Sequence, residues 1–112
     1  RYVRAALGLH PELAKTHAHE RPLLWHHLPE TRYVGEVGLD HVTNDAAEPA
    51  LQREVFSEVL ERCAAAGDKI ITVHSRRAAS TAIDMVGKNF PGTVILHWFS
   101  GSVREAERAS AN

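Results

Sequence analysis

The chain has 112 residues, 44% of them apolar, and a formal net charge of −1 with its eight histidines taken as neutral. That is enough apolar material for one core, yet no run approaches the roughly 20 residues a membrane-spanning helix needs. The near-neutral balance excludes a general polycationic surface, so contact with nucleic acid must come through a local basic cluster or through metal ions on phosphate.

Cys63 is the only cysteine, which excludes an internal disulfide and any zinc site built mainly from thiolates; a reducing, cytoplasmic setting is expected. The chain starts at Arg1 rather than methionine, without an apolar signal segment, and its last helical pattern has no clear terminator. The expectation is a fragment of a longer chain.

Val3 to Leu9 is predicted as a first strand, closed by His10-Pro11 because the residue before proline is pushed toward extended conformations. A loop and short helix follow. Pro22 suits a first helical turn, where its missing N–H does no harm, and Leu24, Trp25 and Leu28 give the apolar face before Pro29 ends it. His17, His19, His26 and His27 lie in this polar stretch and are expected at the surface, with His41 ambiguous.

Tyr33 to Val37 is the second predicted strand, and it delivers Glu36 between Gly35 and Gly38. His41 to Pro49 reads as a loop on the same side as Glu36. Ala50 to Ala66 is the clearest helix: Leu51, Val55, Phe56, Val59, Leu60 and Cys63 form one stripe while Arg53, Glu54, Glu58, Glu61 and Arg62 face water. Gly67 ends it.

Lys69 to Val73 has the β preference of a third strand and runs into His74. Ala78 to Val86 is a short helix with Ala79, Ala82, Ile83 and Val86 inward and Gly87 as terminator. Phe90-Pro91-Gly92 turns the chain into a fourth strand, Thr93 to Leu96, which runs into His97. Ser102-Val103-Arg104-Glu105 has the form of a capping box opening a last helix.

This alternation with near-continuous apolar strands predicts an α/β fold whose parallel sheet is buried on both faces. The doubly wound sheet and the (β/α)₈ barrel both remain open on pattern alone. In either fold functional groups collect at the carboxyl ends of strands, so His10, Glu36, His74 and His97 are expected in one cavity. Imidazole nitrogen and carboxylate oxygen suit zinc, manganese or magnesium, and a carboxylate between two such histidines can bridge two ions.

Five motifs occur in an order that resembles the TatD-like metal-dependent deoxyribonucleases of the amidohydrolase superfamily. They are Gly8-Leu9-His10-Pro11, Gly35-Glu36-Val37-Gly38-Leu39-Asp40, Gln52 with Phe56, His74-Ser75-Arg76 with Ala78, and His97-Trp98-Phe99-Ser100-Gly101-Ser102. The pairing of Arg76-Arg77-Ala78-Ala79 with Leu96 to Gly101 is most similar to the TatD-type nuclease of Qat anti-phage defence systems.

The resemblance implies a (β/α)₈ TIM-type barrel, of which about four βα units are present, and a metal-dependent hydrolase cleaving phosphodiester bonds in DNA. It implies that Glu36 is catalytic and bridges two divalent ions (magnesium, manganese or zinc), with His74 and His97 as further metal ligands. His10, Arg76, Ser100 and Gly101 are the implied substrate contacts, Arg76 equally suiting a structural salt bridge. Asp40 and Gln52 are expected to orient the loop and helix around the metal-bearing strand. The implied partners are DNA and proteins of a defence system, with no membrane.

Departures from the family pattern are as informative. The His-x-His pair of the family's first strand and its late aspartate are absent, and Trp98 stands where many relatives have cysteine, read here as packing at the barrel mouth. Residues 1–112 are therefore expected to form the central part of a barrel, missing its first strand and its C-terminal strands, with two unpaired sheet edges. Such a fragment is expected to be inactive alone. Two other functions stay open: an amidohydrolase-type hydrolase of a non-nucleic-acid ester or amide, and a noncatalytic DNA-binding or structural subunit.

Overall fold

Three strands pair in parallel in the order in which they occur along the chain: β1 (Tyr33–Asp40), β2 (Lys69–Arg76) and β3 (Gly92–Leu96). The computed structural model describes residues 6–42, 45–97 and 102–110. Trp98, Ser100 and Gly101, and the beginning of the predicted first strand, lie outside the described residues. Of that strand, Leu7 forms a parallel bridge to Val34, donating its N–H to Tyr33 and accepting from Gly35 N–H.

Between Leu7 and β1 the chain runs as consecutive helical turns, with α1 (Ala14–His17) and α2 (Arg21–His27) joined and flanked by short 3₁₀ turns. Prolines at positions 11, 22 and 29 each open one of these turns, where a missing N–H costs nothing. Helix α3 (Glu48–Ala66) begins two residues before the predicted start, Pro49 falling in its first turn, and ends at Gly67, whose φ of +71° favours glycine. Helices α4 (Ala79–Val86) and α5 (Val103–Ser110) follow β2 and β3. The capping box forms as expected: Ser102 N–H donates to Glu105 Oε1 at 2.8 Å and Glu105 N–H to Ser102 Oγ at 3.1 Å. Among the described residues no helix is long and apolar enough to cross a membrane.

The core joins Val55, Phe56, Val59, Leu60 and Cys63 of α3 to Val34, Val37 and Leu39 of β1 and to Ile71 and Val73 of β2. Arg62 lies over the Trp25 ring at 4.5 Å, and Arg21 pairs with Glu54 and Glu58, so α2 is fastened to α3 by charge at the edge of the apolar contact. Lys69 is buried at the start of β2, where Nζ donates to the Leu28 carbonyl at 2.8 Å and to that of Thr31 at 2.5 Å. Two carbonyls that end a helical turn are thereby satisfied by a charged donor.

Burial of the sheet on both faces is not what these residues show. Along β2 the fully buried Ile71 and Val73 alternate with half-buried Ile70, Thr72 and His74. Of the β2 side chains, Ile71 and Val73 belong to the buried core that holds the apolar face of α3. In a closed (β/α)₈ barrel the second face is filled by side chains of the other strands.

The predicted strand ends also moved. β1 runs three residues past Val37 and β2 three past Val73, because Gly38 to Asp40 pair in register with His74 to Arg76 despite their polar content. His74 thus sits inside a strand rather than just beyond it, and Glu36, already within the predicted strand, lies four residues before the end of β1.

Candidate metal centre

Glu36 owes its direction to an irregularity in β1. Val34 pairs with Ile71 and Val37 with Val73, so three steps on β1 oppose two on β2, and the extra residue falls at Gly35-Glu36. A bulge of this kind re-aims a side chain out of the regular alternation. The redirected carboxylate meets three imidazoles: Oε1 lies 2.9 Å from His10 Nε2 and 2.9 Å from His74 Nδ1, and Oε2 lies 2.5 Å from His97 Nδ1. The four residues expected to share one cavity are brought together.

Each imidazole arrives by a different route. His74 is carried by β2 beside its register partner Gly38. His97 follows β3, its N–H bonded to the Val73 carbonyl at 2.9 Å. His10 precedes the Pro11–Leu13 turn as its N-cap, and its Nδ1 accepts the Glu12 N–H at 3.1 Å. A neutral imidazole that accepts at Nδ1 carries its proton on Nε2. His10 therefore presents an N–H to Glu36, whereas a metal ligand must present a lone pair.

His74 is held differently, with Nε2 at 2.8 Å from Asp40 Oδ2 and Nδ1 facing Glu36. A neutral imidazole has one N–H for these two carboxylates, and a cation beside Nδ1 meets the other. That is the arrangement of a metal-binding histidine whose far nitrogen is fixed by a carboxylate. The donor set fits a divalent ion on this ground: without His10, Glu36 Oε1 still lies 2.9 Å from His74 Nδ1 and Oε2 2.5 Å from His97 Nδ1, a carboxylate between two imidazole nitrogens.

Asp40 is 1% exposed, and its surroundings are dense. Its N–H donates to Gln52 Oε1 at 2.8 Å, tying the strand end to α3, and its carboxylate accepts from Val42 N–H at 3.0 Å and from Arg76 Nε at 2.9 Å. Burial pushes the carboxyl up, but Val42, His74 and Arg76 together outweigh it and hold it below its ordinary value of 3.8. The expected orienting role thus extends to the imidazole of His74 itself. Arg76 reaches on to Glu12, Nη2 to Oε1 at 2.8 Å.

Glu12 was not among the residues singled out from sequence. Its one signal was its place two residues after His10, where an N-capping side chain finds its backbone donor. His17, His19, His26 and His27 are exposed, as expected, and His17 and His27 pair with Glu20 and Glu30.

The model of the TatD related DNase family matches residues 1–112. The chain belongs to the TatD family. It is 34% identical over 95% of its length to a Mycobacterium tuberculosis protein described as an uncharacterized metal-dependent hydrolase, TatD, and 34% identical over 93% to another from Escherichia coli, YjjV. The crystal structure of E. coli YjjV superposes with a TM-score of 0.81 at 30% identity over 95% of the chain. These matches account for only 42–43% of the relatives' own lengths. The fold is thus part of a TIM-type barrel, resolving the choice that pattern alone left open.

Proposed function

We propose that the full-length TatD protein carrying this segment is a metal-dependent hydrolase of phosphodiester bonds in DNA, with residues 1–112 as the central part of its barrel. The observation that carries this reading is Glu36, one carboxylate contacted by three imidazoles from three separate segments at the strand ends.

Glu36, His74 and His97 are the residues that would hold two divalent ions, magnesium, manganese or zinc, with Glu36 as the catalytic carboxylate that would be shared between them. Ions held there activate water and neutralise charge developing on a phosphoryl oxygen. The remaining residues position the substrate. His10 offers its Nε2–H to a nonbridging phosphate oxygen, and Arg76, half exposed and paired with Glu12, adds a guanidinium suited to phosphate. Ser100 and Gly101 are proposed to add a hydroxyl and a backbone N–H. Asp40 keeps the His74 ring turned so that Nδ1 faces Glu36, where it would be free to hold an ion.

A cytoplasmic role in anti-phage defence, with defence-system proteins as partners, rests on the similarity of Arg76-Arg77-Ala78-Ala79 and Leu96 to Gly101 to the Qat nuclease.

DNA hydrolysis by the full-length protein and its Glu36→Gln variant tests the assignment. Metal-dependent cleavage is expected in the parent and loss of at least about 100-fold in the variant, the scale of removing one group that stabilises transition-state charge. Equal rates would remove Glu36 from the mechanism. Cleavage of carboxylic esters or amides in place of DNA would overturn the substrate.

A further inference from the structure

The guanidinium of Arg76 is held by two carboxylates of opposite character. Asp40, on Nε, is 1% exposed and is fixed by further bonds from Val42 and His74. Glu12, on Nη2, is 54% exposed and belongs to a short turn at the mouth of the site. The buried arm anchors the guanidinium in place. The exposed arm can exchange, since an ion pair in water is worth little and is readily replaced.

A carboxylate and a phosphate offer Arg the same thing, paired anionic oxygens spaced for its donors. Glu12 Oε1 therefore occupies the place that a phosphate oxygen would take on Nη2. Its backbone is also fixed against His10, whose Nδ1 accepts the Glu12 N–H, so the two phosphate-facing donors flank one residue.

We propose that Glu12 sets the strength of phosphate binding: its carboxylate competes with substrate phosphate for the exposed arm of Arg76. This rests on the reading of Arg76 as a phosphate contact. The competition weakens the hold on any lone small anion, which must displace Glu12 for one contact. A nucleic-acid backbone that engages the site at several points bears the same displacement with contacts to spare. The factor lost is the same for both, so Glu12 leaves their affinity ratio unchanged and lowers the occupancy of a weakly held lone anion while a multiply held backbone stays bound.

The test is binding of inorganic phosphate to the full-length protein, followed by the Arg76 Nε–Hε resonance and by calorimetry, in the parent and in E12Q, R76Q and the double variant. Glu12→Gln keeps the side-chain size at an exposed position. It is expected to tighten phosphate binding about two- to fivefold, the scale of one exposed ion pair. R76Q should weaken binding, and E12Q should have no further effect in that background.

Unchanged or weaker binding by E12Q in the presence of Arg76 would overturn the competition. So would the same tightening in the R76Q background, since that would make Glu12 a general repulsive charge. If R76Q leaves phosphate affinity unaltered, the phosphate-contact reading of Arg76 fails instead, and that failure is separately visible.

Discussion

His74 Nε2 lies 2.8 Å from Asp40 Oδ2, and the two residues belong to neighbouring parallel strands whose tails stay in register past the point where their apolar content ends. The pair converts strand pairing into ring orientation. Because Asp40 is itself fixed by Gln52, Val42 and Arg76, the carboxylate cannot follow the imidazole, which can turn only by giving up that bond.

Replacing Asp40 by Asn should therefore weaken metal binding without removing a ligand. The amide can accept from one neighbour, but its NH₂ then faces a donor on His74 or Arg76, and the ring loses its fixed tautomer. Loss of such an outer partner lowers metal affinity by about 10- to 100-fold. Competition with a chromophoric chelator measures it, and unchanged affinity in a folded Asp40→Asn protein would show that His74 is not held for a metal.

The same carboxyl sets the acid limb of stability in the metal-free protein. Its folded pKa lies below the ordinary 3.8, so within that window the unfolded chain binds the extra proton. Stability then rises with pH across the window. The contribution is complete above the unfolded value and is lost as pH falls through the lower folded one. Urea midpoints between about pH 6 and about pH 2 should fall more in the parent than in Asp40→Asn, and parallel curves would refute it.

Much of this site is legible in the sequence because strand-end residues announce themselves: an apolar run followed by His or Gly-Glu fixes which side chain emerges at the sheet's carboxyl edge. Glu36, His74 and His97 were readable on that basis. The Arg76 to Glu12 link was not, since it joins a strand tail to a helical turn 64 residues away through exposed side chains that carry no periodicity. Lys69 was readable only as the first residue of a strand. That its ammonium is buried against Leu28 and Thr31 depends on where the preceding turn ends, a tertiary fact. The bulge at Gly35-Glu36 escaped for the same reason, as register is a property of two strands together.

Gly38 is where the close approach of β1 and β2 leaves no room for a side chain. Its φ is +131°, and a Cβ built there would lie 2.1 Å from the His74 carbonyl oxygen. Gly67 has a similarly unusual φ of +71° but nothing within 4 Å of its Cβ position. The two glycines thus separate backbone strain from collision. Gly67→Ala should cost about 1–3 kcal/mol, the strain alone. Gly38→Ala adds overpacking of about 1–3 kcal/mol, because backbone must shift rather than a flexible side-chain tip. Moving β1 off β2 at that register also moves His74 relative to Glu36. Urea unfolding of both variants provides the comparison, and metal affinity should fall in Gly38→Ala but not in Gly67→Ala. Equal stability losses with unchanged metal affinity in both would show that the strand contact at Gly38 does not set the geometry of the site.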